Sequence, residues 1–215
     1  MKKLVIFDLD GTLLNTIADL GHATNHALGA NHYPQHPIDA YNMMVGNGVK
    51  RLIERALPQE SRTAENVEQL LADFKTYYDA HLYDFTQPYP GIVELLDELT
   101  ERKIRVAVAS NKYESAVRRI IEHFFPQTPF VAVCGNVEGV PVKPDPSVVF
   151  RVLGEYPTPK DEVLYVGDSG VDMETARRAG VESVGVTWGF RSARELRDAY
   201  ADHIIDTVPA ILDYV

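Results

Sequence analysis

From Arg105 onward the chain alternates short β-rich apolar runs with helix-period segments, which limits the fold to a parallel sheet covered by helices. The predicted strands there are Val106–Ala109, Phe130–Val133, Val163–Val166 and Ser183–Val186, and the predicted helices are Glu114–Phe124, Ser147–Leu153 and Met173–Ala179. Gly180 stands where the last of these helices must end. His203–Ile205 and Pro209–Tyr214 add an edge strand and a closing helix. At the other end of the chain, Leu4–Phe7 supplies one more apolar strand. Residues 15–85 break the pattern and read as helices alone, over Thr16–Leu28, Val49–Leu57 and Ala64–Ala80. Tyr33-Pro34-Gln35-His36-Pro37 is a loop among them, and Gln87-Pro88-Tyr89-Pro90-Gly91 is a return hinge before a helix at Ile92–Arg102. The reading is an α/β core of residues 1–14 and 86–215 with an inserted all-α domain, residues 15–85.

In open parallel sheets, ligands bind beyond the carboxyl ends of the strands, and four such ends here carry chemistry. Leu4–Phe7 runs into Asp8-Leu9-Asp10-Gly11-Thr12, where two carboxylates leave an extended segment side by side. Two anions that close need a cation between them or a proton on one. Val106–Ala109 ends in Ser110-Asn111-Lys112 just before a predicted helix N-terminus, which suits an anion. Lys143 lies between Val142 and Pro144-Asp145-Pro146, where the two prolines hold the chain out of a helix. Val163–Val166 runs into Gly167-Asp168-Ser169-Gly170-Val171-Asp172. Singly, Ser110 reads as a helix cap, Lys143 as a solvated charge, and Asp168 and Asp172 as turn and cap residues. Their common placement at strand ends or in a rigid loop points to one site.

Composition narrows the partners. Lys and Arg total 21 against 31 Asp and Glu, and the net charge of −10 disfavours nonspecific binding to nucleic acid or anionic membrane. An anionic substrate then needs a local positive site. No run is long and apolar enough to span a bilayer. Cys134 is the only cysteine, which excludes an intramolecular disulfide and fits a reducing, cytoplasmic setting. The expected state is a monomer or homodimer. His22, His26, His32 and His36 lack the carboxylates or thiols that would complete a zinc site. Tyr77, Tyr78 and Tyr83 read as cap packing or hinge.

Asp8-Leu9-Asp10-Gly11-Thr12, Ser110, Lys143 and Gly167-Asp168-Ser169 with Asp172 resemble the four motifs of the haloacid dehalogenase superfamily, across essentially the whole chain. The resemblance implies a Rossmann-like core with a C1 helical cap. Val45-Gly46-Asn47-Gly48-Val49, the Arg51–Leu57 segment and Tyr89-Pro90-Gly91 are similar to bacterial phosphoglycolate phosphatases, although Asn15 stands where relatives often carry an acid. The roles implied are Asp8 as nucleophile and Asp10 as general acid and base. Asp8, the Asp10 carbonyl and Asp168 would hold Mg²⁺, with Asp172 and Ser169 in support. Ser110, Asn111 and Lys143 would bind the phosphate group, while Asn47 and Arg51, or Lys50, would meet a substrate carboxylate. The expected partner is a small phosphate ester, most simply 2-phosphoglycolate. A phosphomutase, a pyrophosphatase or another sugar-phosphate phosphatase remains an alternative. A receiver-like phosphoacceptor module is disfavoured, because Asp8 follows the first strand rather than a middle one.

Overall fold

A computed structural model describes residues 1–215. Six strands form one parallel sheet: β1 (Leu4–Phe7), β4 (Arg105–Tyr113), β5 (Ala132–Asn136), β6 (Val163–Gly167), β7 (Glu182–Val186) and β8 (His203–Ile205). Their order across the sheet is β5-β4-β1-β6-β7-β8, so β1, the first strand in sequence, lies at the centre. Because the sheet is covered on both faces, all four residues of β1 are fully buried. Val5 and Phe7 pack toward α4 (Ile92–Glu101) and α5 (Glu114–Phe124), whereas Leu4 and Ile6 pack toward α6 (Ser147–Glu155) and α7 (Gly170–Ala179). Each such apolar side chain contributes about 1.5–3 kcal/mol of burial, so the alternation fixes the register that aligns the strand ends.

A two-stranded antiparallel ribbon, β2 (Leu14–Asn15) with β3 (Gln87–Pro88), stands at the exit and return of the helical segment. Between them lie α1 (Ile17–Ala30), α2 (Val49–Ala56) and α3 (Ala64–Ala80). Thr63 caps α3 by accepting the Asn66 N–H, and Val67, Leu70, Phe74 and Tyr78 form its buried stripe at helical spacing. The Asp19 carboxylate of α1 accepts hydrogen bonds from the Phe85 and Thr86 N–H groups and the Thr86 hydroxyl, which ties α1 to the chain just before β3. No helix is long and apolar enough to cross a membrane.

Several elements differ from the sequence expectations for local reasons. β5 is displaced toward the C-terminus, to Ala132–Asn136, with Gly135 inside it, because the Glu114 backbone leaves no room there for a Cβ. α7 begins at Gly170 rather than Met173, because Ser169 and Asp172 exchange the two hydrogen bonds of a capping box. Ile38–Met43 and Val208–Tyr214 are 3₁₀ helices, and α8 (Ala193–Asp198) is a short helix that the periodicity did not reveal.

Candidate active site

The central position of β1 places Asp8 between the carboxyl ends of β4 and β6. Beyond Ala109 the pairing of β4 with β5 becomes irregular and resumes at Tyr113, a bulge-like departure that brings Ser110, Asn111 and Lys112 to the same cavity. Gly11 turns the loop after Asp8 with φ +88° and passes so close to the Asp168 carboxylate that a Cβ would collide with it.

Asp8, Asp168 and Asp172 are buried, and each offers a carboxylate oxygen within 4.8 Å of the others. Lys143 is the cation among them, with its Nζ 2.8 Å from Asp8 Oδ1 and 2.7 Å from Asp172 Oδ1. Burial pushes the Asp8 carboxyl up to about 7, with Asp172 and Asp10 adding repulsion against the opposing pull of Lys143. Burial also raises Asp168 well above the usual carboxylate range, helped by Asp172 and Asp8 and opposed by the Phe190 N–H, which donates to Oδ2 at 2.7 Å. For Lys143, burial favours the neutral amine, but Asp172 and Asp8 outweigh it and hold the ammonium charged. Three buried carboxylates with one ammonium leave an excess of negative charge, and oxygen-only donors are what a hard divalent cation takes.

Within this cluster the carboxylates differ in what they have free. Asp172 Oδ1 accepts from Lys143, and its Oδ2 accepts from the Ser169 N–H at 3.1 Å and hydroxyl at 2.6 Å. Asp172 therefore braces the site from behind, whereas Asp8, Asp168 and Ser169 line the cavity. Asp10 also lines it, and its Oδ1 accepts from the Thr16 hydroxyl at 2.7 Å and meets Lys112 Nζ at 3.1 Å. Ser110 Oγ accepts the Lys112 N–H at 3.2 Å, so its own proton is available to a ligand.

The remaining expected binding residues fall elsewhere. The Asn111 side chain lines the cavity, but its amide donates to the Gly46 and Lys143 carbonyls and accepts the Lys143 N–H, which engages it in joining two loops. Arg51 points away from the cavity, 66 % exposed, and pairs with Glu54. The reason is helical geometry: Val49, Leu52, Ile53 and Ala56 form the inward stripe of α2, which turns Lys50 and Arg51 outward. Asn47 accepts from Arg55 outside the cavity, and Lys50 pairs with Glu68. In their place the helical segment contributes Leu20, Val45, Val49, Leu52, Phe74 and Tyr78. Sequence reasoning did not single out Lys112, or Phe190 and Arg191 in the loop after β7. Lys112 directly follows two residues that were identified, which was the available signal.

Comparisons with known proteins agree on the family. Residues 5–186 match the model of the haloacid dehalogenase-like hydrolases. The phosphoglycolate phosphatase of Mannheimia succiniciproducens is 32% identical over 219 residues, covering 99% of this chain and 98% of that protein. The phosphoglycolate phosphatase of Haemophilus influenzae is 32% identical over 216 residues, covering 98% of this chain and 96% of its own. A crystal structure from Lactobacillus delbrueckii subsp. bulgaricus superposes with a TM-score of 0.93 at 32% identity, covering 100% of this chain and 98% of that one. With its strand-end carboxylates on a parallel sheet and a family match over most of its length, this chain is an enzyme of the haloacid dehalogenase-like hydrolase family.

Proposed function

We propose that the chain is a cytoplasmic Mg²⁺-dependent phosphatase that hydrolyses 2-phosphoglycolate to glycolate and phosphate through an aspartyl-phosphate on Asp8. The observation that carries the reading is the grouping of a buried carboxylate, Asp8, with Lys143 at 2.8 Å and a second carboxylate, Asp10, in one cavity. Asp8 attacks phosphorus, and the bond to the leaving oxygen breaks as Asp10 gives that oxygen its proton. Asp10 then takes a proton from water, whose oxygen displaces Asp8 and leaves as phosphate. Lys143 and the Ser110 hydroxyl hold the phosphoryl oxygens, while the Thr16 hydroxyl orients Asp10. Asp8, Asp168 and the Asp10 carbonyl would hold Mg²⁺, with Asp172 and Ser169 in support. Bound there, the ion supplies the charge compensation that an anionic nucleophile needs to approach an anionic ester. The helices between β2 and β3, residues 15–85, serve as the cap over the leaving group.

The substrate follows from similarity. Relatives at 32% identity over nearly the whole chain bear the name phosphoglycolate phosphatase. A kinetic screen of small phosphate esters with Mg²⁺ tests the proposal. 2-Phosphoglycolate should lead in kcat/KM by tenfold or more, about 1.4 kcal/mol. A hexose phosphate or pyrophosphate preferred by that margin would overturn it.

A further inference from the structure

A substrate carboxylate buried against the apolar cap wall needs a charged donor. Among the cavity residues, the cations are Lys112, Lys143 and Arg191. Lys143 lies against Asp8 and Asp172, where the phosphoryl group is held rather than the leaving group, and also donates to the Ala109 carbonyl at 3.1 Å. Arg191 donates to the Asn42 carbonyl and, at 2.9 Å, to the Val45 carbonyl, with its Nε facing Glu195 at 3.5 Å. It holds the Asn42–Gly46 loop against the core. Lys112 differs from both. Its Nζ donates to the Tyr78 hydroxyl at 2.8 Å and meets Asp10 Oδ1 at 3.1 Å. An ammonium has three N–H donors, and the third has no acceptor here although the side chain is only 4% exposed.

We propose that Lys112 is the specificity-determining residue, the cation that receives the carboxylate of the leaving group, with Tyr78 fixing its direction from the cap. The inference rests on the phosphoglycolate reading and names the group that would select that ester. In 2-phosphoglycolate one methylene separates the carboxylate from the ester oxygen that Asp10 protonates. A cation in contact with Asp10 therefore lies at the right remove from the reacting oxygen. The Tyr78 ring, 4.7 Å from Nζ, comes from α3 and is fully buried, so the ammonium is held in place before substrate arrives.

The test compares 2-phosphoglycolate with ethyl phosphate, which keeps the two-carbon leaving group without the carboxylate. The quantity read is the ratio of their kcat/KM values, from which any common loss through a misplaced Asp10 divides out. In the wild type the ratio should exceed ten, and in Lys112→Met it should fall at least tenfold, mostly through KM. Lys112→Arg should restore part of it. If Lys112→Met does not fold, Lys112→Gln keeps a donor without the charge and should show the same collapse. A ratio within threefold of wild type in the neutral variants would overturn the assignment of Lys112. A wild type that prefers 2-phospholactate or 3-phosphoglycerate, with that preference lost in Lys112→Met, would overturn the substrate reading alone. Indifference of the wild type to every carboxylated ester would overturn both.

Discussion

The core wall of the cavity carries Asp8, Asp10, Ser110, Lys112, Lys143 and Asp168, and the wall facing it carries Leu20, Val45, Val49, Leu52, Phe74 and Tyr78. On the core side each charged group is held by neighbours: Lys143 by two aspartates, Asp168 by a backbone N–H, Asp10 by a hydroxyl and an ammonium. On the helical side the only polar side-chain atom is the Tyr78 hydroxyl, and it bonds back to Lys112. Under the proposed function the contrast implies a division of labour in which the sheet supplies the reacting and binding charges and the helices supply shape and exclude water. It also places the reading of substrate charge on the core, where Lys112 stands, rather than on the exposed cations of α2.

That comparison can be broken first at Asp168. Asp168→Ala should lower kcat/KM by about a hundredfold or more, or demand far more Mg²⁺, and chelation should stop the wild type until Mg²⁺ is returned. Activity persisting in excess chelator would show that the core wall works without a cation. A smaller effect sharpens the account of its charge. Asp8 moves from an ordinary 3.8 to about 7 on folding, so the folded state binds the extra proton. Stability from this group is then full below about pH 4 and is lost as pH rises to about 7. In chelator, the Tm of the wild type relative to Asp8→Asn should fall between pH 5 and pH 8, at about 2–4 °C per kcal/mol for a chain of this size. Saturating Mg²⁺ should reverse the trend, and a pH-independent difference would contradict the charge crowding. The smallest effect belongs to the helical side: Arg51→Ala should change KM for 2-phosphoglycolate by less than about twofold, because an exposed pair contributes roughly 0.2–1 kcal/mol to stability and touches nothing in the cavity. A tenfold rise in KM would return substrate recognition to α2.

Legibility in the sequence followed the same division. Strand ends are readable because short apolar runs such as Leu4–Phe7 and Val163–Val166 stop abruptly at polar residues, and the parallel sheet aligns those stops. Asp8, Ser110 and Asp168 could therefore be placed at one edge, with Lys143 joining them from a proline-rich loop. The role of Lys112 was hidden because the expected strand ended at Ala109, whereas the irregular stretch beyond it carries three residues into the cavity. Phe190 and Arg191 lie in a loop with no periodicity to read. Tyr78 was legible as a packed ring, but its hydroxyl partner, 34 residues away, was not. Arg51 was expected near the substrate for its charge, although the apolar spacing of Val49, Leu52, Ile53 and Ala56 already turned it outward.

The central claim is that Asp8 carries the phosphoryl group between substrate and water. Acid-quenched rapid mixing with ³²P-labelled 2-phosphoglycolate and Mg²⁺ tests it, with label followed into peptides. The account predicts transient label on the peptide containing Asp8 in the wild type. It predicts neither label nor turnover in a folded Asp8→Asn, which keeps the shape of the side chain but not the nucleophile. Phosphate release by Asp8→Asn at near wild-type rate, with no label on the wild-type peptide, would contradict it.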